Sequence, residues 1–147
     1  MIIDKIKIVL SNYIEAYLTA HSFHWNVEGI NFAQFHNLFS EIYTEYYEQI
    51  DVLAEFIRTL SLGSEYINCS VDIIKLNKTI TTNIIVGNRP IDMCLELIRI
   101  NNILINSFED ILVEAEKVNI QNTISSYFTE KLEKLHKLNW LLIAHTK

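Results

Sequence analysis

Apolar residues recur every three to four positions along four stretches of the chain, which is the spacing of amphipathic α-helices. The stretches cover residues 3–27, about 32–60, 90–119 and about 121–145. At 1.5 Å per residue, four helices of this size are each about 37 Å long. In the first stretch the apolar stripe consists of Ile6, Val9, Leu10, Tyr13, Ile14, Tyr17 and Leu18.

The second stretch carries two neighbouring stripes instead of one. Its apolar stripe consists of Phe35, Leu38, Phe39, Ile42, Tyr46, Leu53, Ile57 and Leu60. Beside it runs a mixed aromatic and polar stripe of His36, Ser40, Tyr43, Tyr47, Asp51 and Glu55. A helix with two such sides is expected to pack against its own bundle and against a partner.

Residues 61–89 interrupt the helical pattern. Ser61–Ser64 contains Gly63 and marks a turn, Ser70 suits the cap of a short helix over residues 70–76, and residues 79–88 are rich in Thr and Asn. A connection of this length indicates a crossover between the two halves of a four-helix bundle. The sequence therefore predicts one all-α domain over residues 1–147, with a short extra helix between helices 2 and 3.

Composition narrows the class of protein. Half of the residues are apolar, and the chain contains only three Gly and one Pro, which suits long uninterrupted helices. The formal net charge is -6, so general attraction to nucleic acid or to an anionic membrane is not expected. Cys69 and Cys94 form no CxxC motif, and neither a signal-peptide core nor a membrane-length apolar run is present. We expect a soluble, cytoplasmic protein with free thiols.

The turn between the first two helices carries the first candidate chemistry. Gly29 suits the left-handed position after a helix end, and Asn31 with Gln34 resembles a capping box at the next helix. If two antiparallel helices reverse near residue 30, His24 and His36 lie side by side. Two neutral imidazoles on facing helices are a candidate pair of ligands for one metal ion.

Two carboxylates follow on the second helix. Asp51 lies about 60° around the helix from His36 and Glu55 about 100°, but Asp51 is about 22 Å away along the axis. One metal ion cannot span that distance. Either the carboxylates are unrelated to His24 and His36, or an antiparallel copy of the helix brings its own Asp51 and Glu55 to them across an isologous contact.

At this point the sequence resembles a known family. The pattern His24-Trp25-Asn26-Val27-x-Gly29-x-x-Phe32-x-x-x-His36, followed by Asp51-x-x-Ala54-Glu55, is similar to the ferroxidase signature of the Dps mini-ferritins, the family of DNA protection during starvation. The final helix, from Leu135-His136-Lys137 through Trp140 to Ala144-His145, is also similar to the last helix of that family.

The resemblance implies a ferritin-like four-helix bundle and a function with iron. The resemblance implies that Fe(II) binds to His24 and His36 of one subunit together with Asp51 and Glu55 of the other, and that it is oxidised, preferably by hydrogen peroxide. Ferric mineral then collects in a hollow dodecamer and oxidative damage is limited. Many members carry Asp or Glu where this chain has Ser40, which predicts a weaker second iron position.

Several other features have a simpler explanation. We interpret His21 as a supporting or surface residue and not as a ligand. The resemblance suggests that Trp25 is an electron donor beside the iron, but a tryptophan on a helix usually serves packing. Glu133 and His136 have the i, i+3 spacing of di-iron bundles, but that chemistry needs two such motifs and two further glutamates, so we interpret this pair as a chance match.

The basic residues of the last helix, Lys131, Lys134 and Lys137, are interpreted as a solvated face, and tight DNA binding is not expected because the first helix begins almost at Met1 without a Lys-rich tail. Two other classes of function remain open. One is a non-catalytic shell or interaction protein with the same fold, and the other is a nucleoid protein that compacts DNA.

Overall fold

The computed structural model describes residues 1–68 and 89–147, except for the side chain of Gln121. Within these ranges the chain forms four α-helices and no strand: α1 (Ile2–Asn26), α2 (Phe32–Leu60), α3 (Pro90–Lys117) and α4 (Gln121–His145). The all-α four-helix architecture predicted from the sequence is confirmed, and the predicted helix bounds are within two residues of those observed. The predicted short helix over residues 70–76 lies outside the described residues.

Local chemistry explains where the helices begin and end. Pro90 is the first residue of α3, as predicted, since proline lacks the amide hydrogen that a first turn leaves unpaired. The predicted end at Asn119 was too late, because Asn119 adopts a left-handed conformation (φ 58°) and the Ile120 N–H bonds back to the Ala115 carbonyl at 3.1 Å. This 6→1 bond is the Schellman motif, which ends a helix.

The second helix ends in the same way, but a leucine and not the glycine of the predicted turn takes the left-handed position nearest the helix end. Leu62 holds the left-handed position (φ 51°), and the Gly63 N–H bonds to the Arg58 carbonyl at 2.8 Å. Arg58 also donates from its guanidinium to the Gly63 carbonyl at 2.8 Å. The end of α2 is therefore fixed by both backbone and side-chain hydrogen bonds.

The core lies between the four helices. α1 packs against both α2 and α3, and α3 packs against α4, whereas α2 and α4 approach each other less closely. The largest fully buried side chains of the core include Tyr13, Phe39, Tyr46, Phe108 and Phe128. One expectation about the core was wrong: Leu18, assigned to the apolar stripe of α1, is 47% exposed.

Side-chain hydrogen bonds cross the gap between α2 and α4. Tyr127 donates its hydroxyl to Gln49 Oε1 at 2.8 Å, and Lys131 donates to Glu45 Oε1 at 3.1 Å. Gln49 donates in turn to Glu45 Oε1 at 3.0 Å. These four residues form the central polar network of the bundle, in which each buried polar group finds a partner inside the chain.

Candidate metal centre at the α1–α2 turn

The turn between α1 and α2 reverses the chain over five residues. α1 ends at Asn26, Gly29 takes a positive φ of 101°, and Asn31 takes a left-handed conformation with φ 65° before α2 begins at Phe32. The positive φ at Gly29 was predicted, but the capping box was wrong, because the Asn31 side chain makes no capping hydrogen bond. The backbone conformation of Asn31 makes the turn, and the helices run antiparallel from there.

This reversal places His24 and His36 face to face, as the turn geometry predicted. Their ring centroids are 3.8 Å apart with an interplanar angle of 24°. His24 Nδ1 lies 2.8 Å from the His36 carbonyl oxygen, and His36 Nδ1 lies 2.8 Å from the His24 carbonyl oxygen. The two histidines therefore exchange a reciprocal pair of hydrogen bonds across the two helices.

These bonds define which ring nitrogen is available to a metal. A carbonyl oxygen only accepts, so each Nδ1 must carry the hydrogen and donate it. In a neutral imidazole with a protonated Nδ1, Nε2 keeps its lone pair, which is the electron pair that binds a metal. A hydrogen bond from the other ring nitrogen is also the usual way in which proteins orient a metal-binding histidine.

Aromatic side chains hold the two imidazoles in place. The Phe32 ring stacks beside His36 at 5.0 Å, and Tyr43 meets the His24 ring edge-on at 5.3 Å. Both histidines stay partly exposed. The pair is thus rigid but reachable from the surface of α1 and α2.

His21 does not join the pair as a third ligand. Its ring stacks on Tyr43 at 4.0 Å and lies 4.3 Å from Trp25, while its centroid is 6.1 Å from that of His24. His21 Nδ1 is within hydrogen-bond distance of the Tyr17 hydroxyl, at 3.3 Å. These contacts are those of a neighbouring aromatic residue, in line with the interpretation of His21 as a supporting residue.

Asp51 and Glu55 are not brought to the histidines within one chain. α2 runs without a break from Phe32 to Leu60, so the axial separation of about 22 Å between His36 and Asp51 remains. Both carboxylates are exposed. Over residues 1–68 and 89–147, no three His, Cys, Asp or Glu residues lie close enough to hold a metal ion together. One chain therefore presents two imidazoles and, separately, two carboxylates.

Ser40 lies one turn after His36 and is partly buried. Its backbone carbonyl accepts a hydrogen bond from Thr44 Oγ1 at 2.8 Å. A serine hydroxyl is a weaker ligand for a hard cation than a carboxylate, because it carries no charge. The position next to the imidazole pair is therefore poorer in negative charge than an Asp or Glu would make it.

The structure extends the aromatic and polar stripe predicted on α2 with side chains of α1. Tyr17, which was assigned to the core stripe, contacts Tyr47 at 5.4 Å and Tyr43 at 6.2 Å. Together with the contacts described above, these rings form a surface on the α1/α2 face, here called the aromatic band: Tyr17, His21, Trp25, Phe32, Tyr43 and Tyr47. Phe32 is joined to the other rings through His36 and His24. Its signal was the i, i+4 spacing of Tyr17, His21 and Trp25. Trp25 and Tyr47 are 67% and 60% exposed.

The second histidine motif has no such support. Glu133 and His136 are both exposed on α4. Neither belongs to a cluster of three potential metal ligands within the described parts of the chain. The structure favours the interpretation of this pair as a chance match.

Comparison with known proteins identifies the family of nearly the whole chain. The model of the ferritin-like domain matches residues 3–145. The DNA protection during starvation protein of Helicobacter pylori is 29% identical over 142 residues, which are 97% of this chain and 96% of that protein. The protein of the same name from Brevibacillus brevis is 48% identical over 54 residues, 37% of this chain and 35% of the other.

Solved structures agree with these sequence matches. The crystal structure of a Dps protein from Vibrio cholerae superimposes with a TM-score of 0.87 at 27% identity, covering 99% of this chain and 89% of that one. It is described as a member of a broad superfamily of ferritin-like diiron-carboxylate proteins. No helix in the described ranges is long and apolar enough to cross a membrane.

Proposed function

The chain belongs to the Dps mini-ferritins of the ferritin-like family, and on this premise we propose that it oxidises Fe(II) at centres shared between two subunits. In each centre, His24 and His36 of one subunit hold the iron together with the partner subunit's Asp51 and Glu55. The ferric product is stored as mineral inside a dodecameric shell. The activity limits oxidative damage by consuming Fe(II) and hydrogen peroxide together.

The observation that carries this proposal is the reciprocal bonding of the two histidines. It directs two Nε2 lone pairs from a rigid, partly exposed site, while the chain itself supplies no third ligand among the described residues. Imidazole nitrogen with carboxylate oxygen suits Fe(II), and it also suits zinc and manganese, so the choice of iron depends on family membership. We infer that the missing oxygen ligands come from a second subunit.

A two-fold dimer provides those ligands. In an isologous contact each residue of one subunit meets a residue of the other in both directions, so two identical centres form at once. The aromatic band and Leu18 supply an exposed apolar surface on α1 and α2, and such a surface commonly marks an interface. The histidine pair lies at one end of this face and the carboxylates towards the other, as an antiparallel pairing requires.

Hydrogen peroxide is the proposed oxidant. It accepts one electron from each of two Fe(II) ions and, with two protons, becomes two water molecules, so no hydroxyl radical is released. The imidazoles position the substrate iron, and the carboxylates neutralise its charge. Ser40 supplies no charge, so the second iron of each centre binds more weakly than the first.

Tight DNA binding at physiological salt is not part of the proposed function. Phosphate binding depends on clustered free cations. Lys131 is largely buried and bonded to Glu45, and Lys134 pairs with Glu130 at 3.1 Å. The small basic patch suggested by the sequence of α4 is thereby largely neutralised.

Mixing two inactive variants provides the sharpest test of shared centres. One variant carries His24→Ala and His36→Ala, and the other carries Asp51→Asn and Glu55→Gln. After joint unfolding and refolding, half of the dimers pair one subunit of each kind, and each such dimer has one intact centre out of two. Peroxide-dependent Fe(II) oxidation, followed anaerobically by absorbance, should recover to about a quarter of the parental rate.

The control is Glu133→Gln/His136→Ala, which removes a carboxylate and an imidazole from the exposed pair on α4 and should leave the rate unchanged. If the mixture stays as inactive as its components while dimers form, the ligands are not shared between subunits. If the parent itself fails to oxidise Fe(II), a non-catalytic shell with the same fold replaces this proposal.

A further inference from the structure

A cavity of about 230 Å³ opens between α2 and α4, where the two helices are less closely packed. The side chains of its apolar wall are Leu38, Ile42, Leu135, Leu138 and Leu141. Leu38 and Ile42 lie about 200° and 240° around α2 from His36. The cavity therefore opens on the side of α2 away from the histidine pair and the aromatic band, so it lies outside a dimer contact made through the aromatic band.

Tyr13 forms the inner end of the cavity with a hydroxyl group that lacks a partner. The residue is only 1% exposed, and its hydroxyl makes no hydrogen bond to any residue of the described chain. Two neighbouring tyrosine hydroxyls differ, since the buried Tyr46 donates to Asn101 and the partly buried Tyr127 donates to Gln49. Within the described ranges, the fully buried side-chain atoms without a partner belong to Asn12 and Glu15 and not to Tyr13, so the Tyr13 hydroxyl is open to the cavity that the residue lines. A molecule that enters the cavity can therefore complete its hydrogen bond.

The Tyr13 ring itself is fixed. It packs edge-on against Tyr46 at a centroid distance of 5.8 Å, and against Phe108 at 6.0 Å with a tilt of 35° between the rings. These contacts restrict the rotation of the ring and therefore the position of its hydroxyl. The cavity thus has a preoriented polar atom at its inner end and leucine side chains along its walls.

Charges at the rim indicate an uncharged occupant. The rim carries two carboxylates, Glu41 and Glu45, and two ammonium groups, Lys131 and Lys134. Lys131 bonds to Glu45 at 3.1 Å, and Lys134 bonds to Glu130 at 3.1 Å. An anionic chain such as a fatty acid meets two carboxylates and no unpaired cation here, so its headgroup is not favoured.

We propose that this cavity binds an uncharged single-ring molecule with one hydrogen-bonding group, such as a phenol, whose polar atom pairs with the Tyr13 hydroxyl. Size supports this class of ligand, since an apolar cavity of about 150 Å³ is known to hold benzene. A cavity of 230 Å³ has room for the ring and one substituent. The site is separate from the proposed iron centre and does not depend on iron oxidation.

The test uses phenol, benzene and octanoate as probes on the assembled protein, with binding followed by calorimetry. We expect saturable phenol binding, weaker benzene binding and no octanoate binding. Tyr13→Phe removes only the hydroxyl, so it should weaken phenol binding by about five- to tenfold and leave benzene binding unchanged. This comparison separates the hydrogen bond from the volume of the cavity.

A matched pair of variants tests the location. Leu138→Phe fills the cavity and should abolish phenol binding, whereas Leu132→Phe enlarges another partly buried leucine of the same helix that does not line the cavity. The proposal is overturned if phenol does not bind, if octanoate binds more tightly than phenol, or if both phenylalanine variants bind phenol like the parent. Retained phenol affinity in Tyr13→Phe would also overturn the assigned hydrogen bond.

Discussion

Two polar regions of this bundle differ in whether their hydrogen bonds are completed inside the chain. The central polar network of Glu45, Gln49, Tyr127 and Lys131 is closed, because each carboxylate, amide or hydroxyl meets a partner on α2 or α4. The histidine pair is closed only on its inner side, where Nδ1 of His24 and His36 bonds to backbone carbonyls. Its outer nitrogens point to whatever approaches the surface.

The difference shows where this fold has room for a metal. Ferritin-like di-iron proteins place carboxylates and histidines in the bundle core. Here Glu45 lies partly exposed between α2 and α4, and the ammonium group of Lys131 pairs with it at 3.1 Å. A fixed cation neutralises that carboxylate and repels a metal ion, so this pair disfavours a metal at Glu45, and the candidate metal site is the histidine pair on the α1/α2 face.

The largest effect should come from removing one ligand from each half of the shared centre. In His36→Ala/Asp51→Ala we expect peroxide-dependent Fe(II) oxidation to fall about 100-fold or more, because both an imidazole and a carboxylate are lost from every centre. Stopped-flow absorbance under anaerobic conditions measures the rate. Equal rates in variant and parent would mean that the histidine pair has only a structural role, like the central polar network.

Lys131→Met tests the central polar network. The variant leaves Glu45 partly buried without its cation, which should lower the free energy of unfolding by about 1 to 3 kcal/mol, a range reduced because Glu45 is about a third exposed. Urea unfolding followed by circular dichroism measures it, with Lys137→Met as the exposed control on the same helix. Iron oxidation by the folded variant should be unchanged, and a large loss of rate would contradict the separation of the two regions.

Ser40→Glu should add a negatively charged ligand next to the histidine pair. A carboxylate one turn after His36 adds negative charge beside the imidazoles, and we expect the second iron of each centre to bind about tenfold more tightly. Anaerobic Fe(II) titration of parent and variant provides the comparison, with Ser40→Gln as the uncharged control of similar size. Two equally tight sites per centre in the parent would refute the role given to Ser40.

The smallest effect is expected for Tyr127→Phe in the central polar network. This change removes the hydrogen bond to Gln49 and leaves the amide oxygen short of one donor, which should lower the free energy of unfolding by about 1 kcal/mol. Because the ring is retained, its contacts with Phe56 and Phe128 remain. No measurable change in the urea midpoint would show that water replaces the lost donor.

The sequence predicted the architecture well because long apolar stripes at helical spacing are compatible with few structures other than packed helices. Four stripes at helical spacing, one proline at the start of α3 and few glycines were enough for the helices and for the meeting of His24 and His36. The end of α3 was less accurate, since Asn119 takes a left-handed conformation and the helix ends at Lys117, two residues before the predicted end.

The hydrogen bonds at the candidate site were beyond reach of the sequence. Spacing showed that the two imidazoles meet, but it carried no information on which carbonyl each Nδ1 would find. The polar partners of Glu45 and Gln49 were missed for a similar reason, because Tyr127 and Lys131 are 78 and 86 residues away in the chain from the residues they bond to. The assignment of Asp51 and Glu55 to a partner subunit stays a prediction.

The reciprocal histidine bonds also set a rule for the length of the turn between α1 and α2. His24 and His36 each stand six residues from Ile30, and both hydrogen bonds depend on this equal spacing. Surface turns usually tolerate insertions and deletions. Here one added or deleted residue shifts a whole helix face by about 100° and breaks both bonds together. In relatives with the same imidazole pair, this turn should therefore keep a constant length even where its residues change.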